Sequence, residues 1–163
     1  MKTLEKKRSL KIDRTALIDI LTNPEFEVER ETSANGSVKA VVNETRRTDS
    51  ELEYEIITTE YVKGVTGIDK SKTEDNRYVY TWNLKNFSCD WVYTMKSQGS
   101  RVKVFGSISL HDNNGTDIKN IINVEIKIPL VGGKIEKMVM SEIEKGWGKY
   151  DEILDRWIAE KSA

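Results

Sequence analysis

The chain has 163 residues, with 26 lysines and arginines against 27 acids, one histidine and one cysteine. That length suits one domain over residues 1–163, burying about two-thirds of its unfolded surface, and the charge balance, with no like-charged run beyond Lys6-Lys7-Arg8, argues against a nucleic-acid surface. The lone Cys89 excludes an internal disulfide framework, and apolar runs of signal-peptide or membrane-span length are missing, so a cytoplasmic protein without stable membrane insertion is expected.

Residues 8–12 alternate Leu10 and Ile12 with Ser9 and Lys11, predicting a short first strand. Asp13 suits an N-cap, and Ala16, Leu17, Ile20 and Leu21 fall on one stripe of a short helix. Asn23-Pro24 supplies a cap and first position for a second short helix, with Phe26 inward. A turn at Ser33-Ala34-Asn35-Gly36-Ser37 opens a β-rich body. Its strands are expected at about 38–47, 51–61, 75–84, 87–96, 101–110 and 117–128, joined by turn-forming residues such as Asp112-Asn113-Asn114-Gly115. The short links imply an antiparallel meander. The stretch from Gly64 to Thr73, with two glycines and many charges, predicts a longer, mobile loop.

Alternation places Tyr78, Tyr80, Trp82 and Leu84 on one face, and Cys89, Trp91, Tyr93 and Met95 on the same face of the next strand. Val102, Val104, Ile108 and Leu110 continue it, as do Ile118, Asn120, Ile122, Val124 and Ile126. One side of the sheet is thus apolar and aromatic, the other wet. After Pro129, the pair Gly132-Gly133 supplies two residues tolerant of positive φ, and the chain is expected to pass into a helix over 134–159. Ile135, Met138, Val139, Ile143, Trp147, Tyr150, Leu154 and Trp157 recur there at helical spacing. Gly146 and Gly148 each weaken that helix by about 1 kcal/mol relative to alanine, which packing must offset.

The order of strand, two short helices, meander and long terminal helix resembles the START-like superfamily, also called SRPBCC or helix-grip, which includes polyketide cyclases and pollen-allergen-type carriers. The junction Pro129-Leu130-Val131-Gly132-Gly133-Lys134-Ile135-Glu136-Lys137, with Trp82, the Gly106-Ser107-Ile108-Ser109-Leu110 strand and Trp157, resembles an uncharacterised branch of it. The resemblance implies an α+β helix-grip fold: a curved antiparallel sheet wrapped around the C-terminal helix, with a hydrophobic cavity between them. It supplies no catalytic residue.

The candidate ligand-binding residues are Tyr54, Tyr78, Tyr80, Trp82, Trp91, Tyr93, Asn120, Ile122, Val139, Ile143 and Trp147. Flat amphipathic rings suit an apolar ligand, and they equally suit a filled core. Asn120 interrupts an isoleucine and valine stripe, so its amide needs a partner, either a ligand or water or a neighbouring tyrosine or backbone group. Gly146-Trp147-Gly148 is expected either to thin the helix beside the cavity or to be a tolerated weakness. Gly132-Gly133 lacks phosphate-loop spacing, His111 lies in a turn, and no acid pair or metal-ligand cluster is evident. We therefore expect no metal, no cofactor and no nucleic-acid partner. The function expected is binding or transport of a hydrophobic small molecule or lipid, with a cyclase/aromatase-like enzyme or a co-chaperone-like interaction module as alternatives.

Overall fold

A computed structural model describes residues 1–64 and 66–162. Its strands are β1 (Lys2–Leu10), β2 (Lys39–Arg47), β3 (Glu51–Gly64), β4 (Gly67–Asn83), β5 (Ser88–Thr94), β6 (Val102–Asp112) and β7 (Thr116–Ile126). Between β1 and β2 lie α1 (Arg14–Leu21), α2 (Pro24–Glu29) and a π-helical turn (Arg30–Ala34), and α3 (Gly132–Ser162) ends the chain. All seven strands form one antiparallel sheet in the order β1-β7-β6-β5-β4-β3-β2. This is the helix-grip α+β fold, with the core between the inner sheet face and the helices. No described helix is long and apolar enough to cross a membrane.

The helix starts follow their capping residues. Asp13 accepts from the Ala16 amide at 2.9 Å, and Asn23 accepts from Glu25 at 2.9 Å with Pro24 at the first helical position. Leu17, Ile18, Ile20 and Leu21 then bury one face of α1.

Three expectations change. The first strand is Lys2–Leu10, not residues 8–12. Its inward positions are Leu4, Lys6, Arg8 and Leu10, and the two cations hide the alternation that marks a strand. The stretch from Gly64 to Thr73 is not a loop: β3 and β4 continue pairing from Tyr61↔Thr73 to Gly64↔Gly67, beyond Arg77↔Thr94 where β5 begins to pair with β4. The exposed residues of this two-stranded ribbon are mostly polar, which removes the strand signal. Val65, also in that predicted loop, lies outside the described residues.

The third change concerns the junction before α3. Neither Gly132 nor Gly133 has a positive φ; that conformation falls on the exposed Leu130, at φ 69°. Helix α3 starts at Gly132 rather than residue 134. Gly132 is needed for space instead, because a Cβ there would lie 2.5 Å from the Ile126 carbonyl oxygen. The buried Glu136, one turn further on, accepts from the Ile126 amide at 3.0 Å, so the start of α3 is fitted closely to that residue. At Gly133 an added Cβ meets nothing within 4 Å. Gly132→Ala should therefore cost roughly 1–3 kcal/mol, as overpacking does. Gly133→Ala should be neutral or mildly stabilising through helix propensity. Urea denaturation of the two variants side by side checks the contrast.

Candidate functional site

Helix α3 is fixed near both ends. At one end stands the Glu136 to Ile126 bond. At the other, Lys6 donates to Asp151 at 2.6 Å, and Arg8 donates to Asp151 at 3.3 Å and to Asp155 at 2.7 Å. Between these anchors Val139, Ile143 and Trp147 of α3 are only partly buried. The sheet repeats the pattern. On β7, Thr116, Ile118, Val124 and Ile126 are buried while Asn120 and Ile122 between them stay partly accessible; on β6 the accessible inward residue is Ile108, and on β4 it is Tyr78. On β7 the inward side chains are thus buried at both ends and partly accessible in the middle, on the sheet face that carries a helix anchored near both of its ends.

Three polar groups of these partly accessible residues lack side-chain partners. Among the described residues, the Tyr78 hydroxyl, the Asn120 amide and the Trp147 indole N–H make no side-chain hydrogen bond. No fully enclosed polar side-chain atom lacks a partner, so these three groups retain contact with solvent. Asn120 therefore does not bond to a neighbouring tyrosine.

At the α2 side, a charged cluster lies against the inner face. Arg30 donates Nε and Nη2 to Glu27 at 3.1 and 3.3 Å, pairs through Nη1 with Glu31 at 3.0 Å, and donates Nη2 to the Tyr80 hydroxyl at 3.0 Å. The Tyr54 hydroxyl donates to Glu27 at 3.3 Å and accepts from the Trp82 indole at 3.4 Å. Burial opposes the Arg30 charge, but Glu27, Tyr80 and Glu31 outweigh it and hold the guanidinium firmly protonated. Burial pushes the Glu31 carboxyl above the usual carboxylate range, with Arg30 and Asn35 pulling it back.

A further buried carboxylate, Glu60 of β3, gathers a second cluster. Its Oε2 accepts from Thr58 at 2.7 Å, Asn76 at 2.9 Å and Tyr93 at 2.9 Å, while Lys63 approaches Oε1 at 3.3 Å. Tyr78 stands between the two clusters, its ring centroid 4.7 Å from Tyr93 and 6.0 Å from Tyr80. Burial and then the Glu31 and Glu60 charges raise the Tyr78 phenol well above its ordinary value, so it remains a neutral donor.

The sequence-predicted residues thus divide. Tyr54, Tyr80, Trp82, Trp91 and Tyr93 are buried; three of these rings, Tyr54, Tyr80 and Tyr93, spend their hydroxyls on the buried charges. Tyr78, Asn120, Ile122, Val139, Ile143 and Trp147 border the accessible middle. Gly146 serves the chain's own packing: a Cβ there would lie 3.0 Å from the Ala34 carbonyl oxygen, whereas Gly148 has nothing within 4 Å. Sequence reasoning missed Lys6, Arg8, Glu27, Arg30, Glu31, Glu60 and Asn76. The available signal was phase: Glu60 continues the alternation of Leu52, Tyr54, Ile56 and Thr58, and Asn76 precedes Tyr78 and Tyr80 on the same face. Cys89 is buried, and burial pushes its thiol up. His111 is exposed. Two surface depressions, of about 580 and 550 Å³, lie away from α3, one beside Lys72 and Lys96 and one over Val92 and Phe105.

Solved structures share this architecture. A protein of Thermus thermophilus matches with a TM-score of 0.64 at 12% identity, over 99% of this chain and 100% of that one. The Zhui aromatase/cyclase of Streptomyces sp. R1128 matches at 0.55 and 8%, over 95% and 92%. The di-domain aromatase/cyclase StfQ of the steffimycin biosynthetic pathway matches at 0.56 and 10%, over 97% of this chain and 46% of that one. At such identities the likeness concerns fold alone. No curated protein sequence matches the chain. A family model described as protein of unknown function (DUF2505) does match, over residues 6–158, and the chain belongs to that family.

Proposed function

We propose that this protein binds a hydrophobic small molecule or lipid in the space between the sheet and α3. The observation that carries this reading is the run of partly accessible inward residues Ile108, Asn120 and Ile122 amid the buried Val104, Leu110, Ile118 and Val124, together with the partly buried Val139, Ile143 and Trp147 of α3. Leaving several large apolar side chains partly wet forgoes roughly 25 cal/mol per Å² of apolar surface, a loss that an occupant recovers. The unpartnered Tyr78, Asn120 and Trp147 groups give such an occupant its orientation. The buried free thiol of Cys89 fits a reducing, cytoplasmic setting. Titration with fatty alcohols, sterols and aromatic polyketides, following tryptophan emission, should give a saturable change with at least one class. Ile122→Trp, which fills the space, should abolish it. A flat response to every class would refute the reading.

A second reading adds catalysis in the same space. Two structures of the same fold are aromatase/cyclases by name, and the neutral, unpartnered Tyr78 hydroxyl is suited to polarising a ligand carbonyl. Turnover of a polyketide-like substrate that is lost in Tyr78→Phe, with binding retained, would separate enzyme from carrier.

A further inference from the structure

We propose that the space under α3 selects by charge: it admits neutral or cationic amphipathic molecules and refuses anions of the same size and shape. This rests on the binding reading above and narrows it to a ligand class.

The argument is a balance of fixed charges around Tyr78. Its ring contacts Tyr93, whose hydroxyl donates to Glu60 at 2.9 Å, and Tyr80, whose hydroxyl accepts from Arg30 at 3.0 Å. Three carboxylates, Glu27, Glu31 and Glu60, are thus buried around this end of the space, against one buried guanidinium. The other cation there, Lys63, sits at the surface with its side chain 42% exposed. The inward cations offer no free partner to an anion. The Arg30 guanidinium is shared among Glu27, Glu31 and Tyr80. Lys6 and Arg8 pair with Asp151 and Asp155, and Lys6 also lies 5.1 Å from the Trp147 ring and 5.6 Å from the Tyr150 ring.

What remains for a ligand is neutral: the Tyr78 hydroxyl, the Asn120 amide, the Trp147 indole and apolar surface. A ligand carboxylate or sulfonate would lose its hydration, find no unpaired cation, and approach the buried carboxylates behind the Tyr80 and Tyr93 rings. A neutral carbonyl, hydroxyl or amine meets hydrogen-bonding groups at no such cost. An ammonium gains from both the carboxylates and the aromatic faces.

Two fluorescent probes with one ring skeleton test this. N-phenyl-1-naphthylamine is neutral, and 8-anilino-1-naphthalenesulfonate adds only a sulfonate. The neutral probe should bind about tenfold tighter or better, since repulsion and desolvation act on the sulfonate alone. Ile122→Trp should abolish the neutral signal, which places the probe under α3. Sulfonate binding as tight as or tighter than the neutral probe's, lost in the same variant, overturns the charge rule and leaves the binding reading standing. If neither probe binds, the charge rule falls, and the ligand panel above decides the binding reading separately. Glu60→Gln, checked for an unchanged thermal transition, should raise sulfonate affinity several-fold and leave the neutral probe unaffected; an unchanged sulfonate affinity would count against the proposal. The two-probe comparison on the natural chain stands even if that variant fails to fold.

Discussion

Replacing Arg30 with methionine is expected to lower stability by about 3–5 kcal/mol, the range for removing one partner of a buried ion pair. The guanidinium is the shared counter-charge of Glu27 and Glu31, which are only 3% and 1% exposed. Methionine fills much of the volume while leaving both carboxylates in a medium where charge is poorly solvated. The loss should depend on pH, with a definite sign. Burial already raises the folded-state value of Glu31 above its unfolded one, so its contribution is most favourable below the unfolded value and fades as pH rises through the folded value. Without Arg30 that upward shift grows, and the variant's deficit should be larger at pH 7 than at pH 5. Urea denaturation at both pH values measures it. A deficit below about 1 kcal/mol at pH 7 would place the cluster with solvent-screened surface pairs. Glu31→Gln added to Arg30→Met should restore part of the loss, because one of the two stranded charges is gone.

Gly106→Ala is expected to be nearly as damaging, at roughly 3 kcal/mol, the upper part of the range for overpacking a filled core. Gly106 pairs with Trp91 on β5 and Ile122 on β7. An added Cβ would meet the Ile121 backbone carbonyl and come within 2.7 Å of Cζ2 of the Trp91 ring, which lies over the bare glycine. A side chain could swing away, but the carbonyl can move only by shifting β7. For a chain of this size the melting temperature should therefore fall by roughly 6–12 °C. Trp91→Leu should not rescue the variant, since the backbone contact remains. Recovery in the double variant would show that the ring, rather than the strand spacing, sets the requirement.

The parts of this fold that are legible in the sequence are those where one layer covers one face. Tyr78, Tyr80 and Trp82, or Ile118 and Val124, alternate because helices lie over them and solvent lies behind. Helix α3 announces itself through the same logic at helical spacing. Legibility fails where the inner face is polar. Lys6 and Arg8 occupy inward positions of β1 because α3 brings Asp151 and Asp155 to them, a pairing some 145 residues distant in the chain for Lys6 and Asp151. Glu27, Glu31 and Glu60 read as ordinary surface acids, and only their phase relative to apolar neighbours distinguishes them. Alternation puts the aromatic residues on the inner face, yet their division into those whose hydroxyls meet buried charges and those left without such a partner depends on Arg30 and Glu60, which alternation does not identify. Gly132 stands out in the sequence as a source of positive φ, when its actual use is its missing side chain against Ile126.

The π-helical turn at Arg30–Ala34 carries a consequence of another kind. Its wide turn closes with the Asn35 amide donating to the Arg30 carbonyl at 3.2 Å, five residues back. An α-helix would cover that distance with one residue fewer and advance by about 100° per residue. Here the extra residue lets Arg30 and Glu31 point into the core while the Ala34 carbonyl still reaches Gly146, and Asn35 and Ser37 curl back to bond Glu31. Residue count in this segment is therefore a specification in itself. Substitutions at Thr32 or Ser33 alter one side chain each, but a single deletion there would reset the winding, rotate Arg30 and Glu31 relative to β2, and dismantle the charge cluster without touching any of its members.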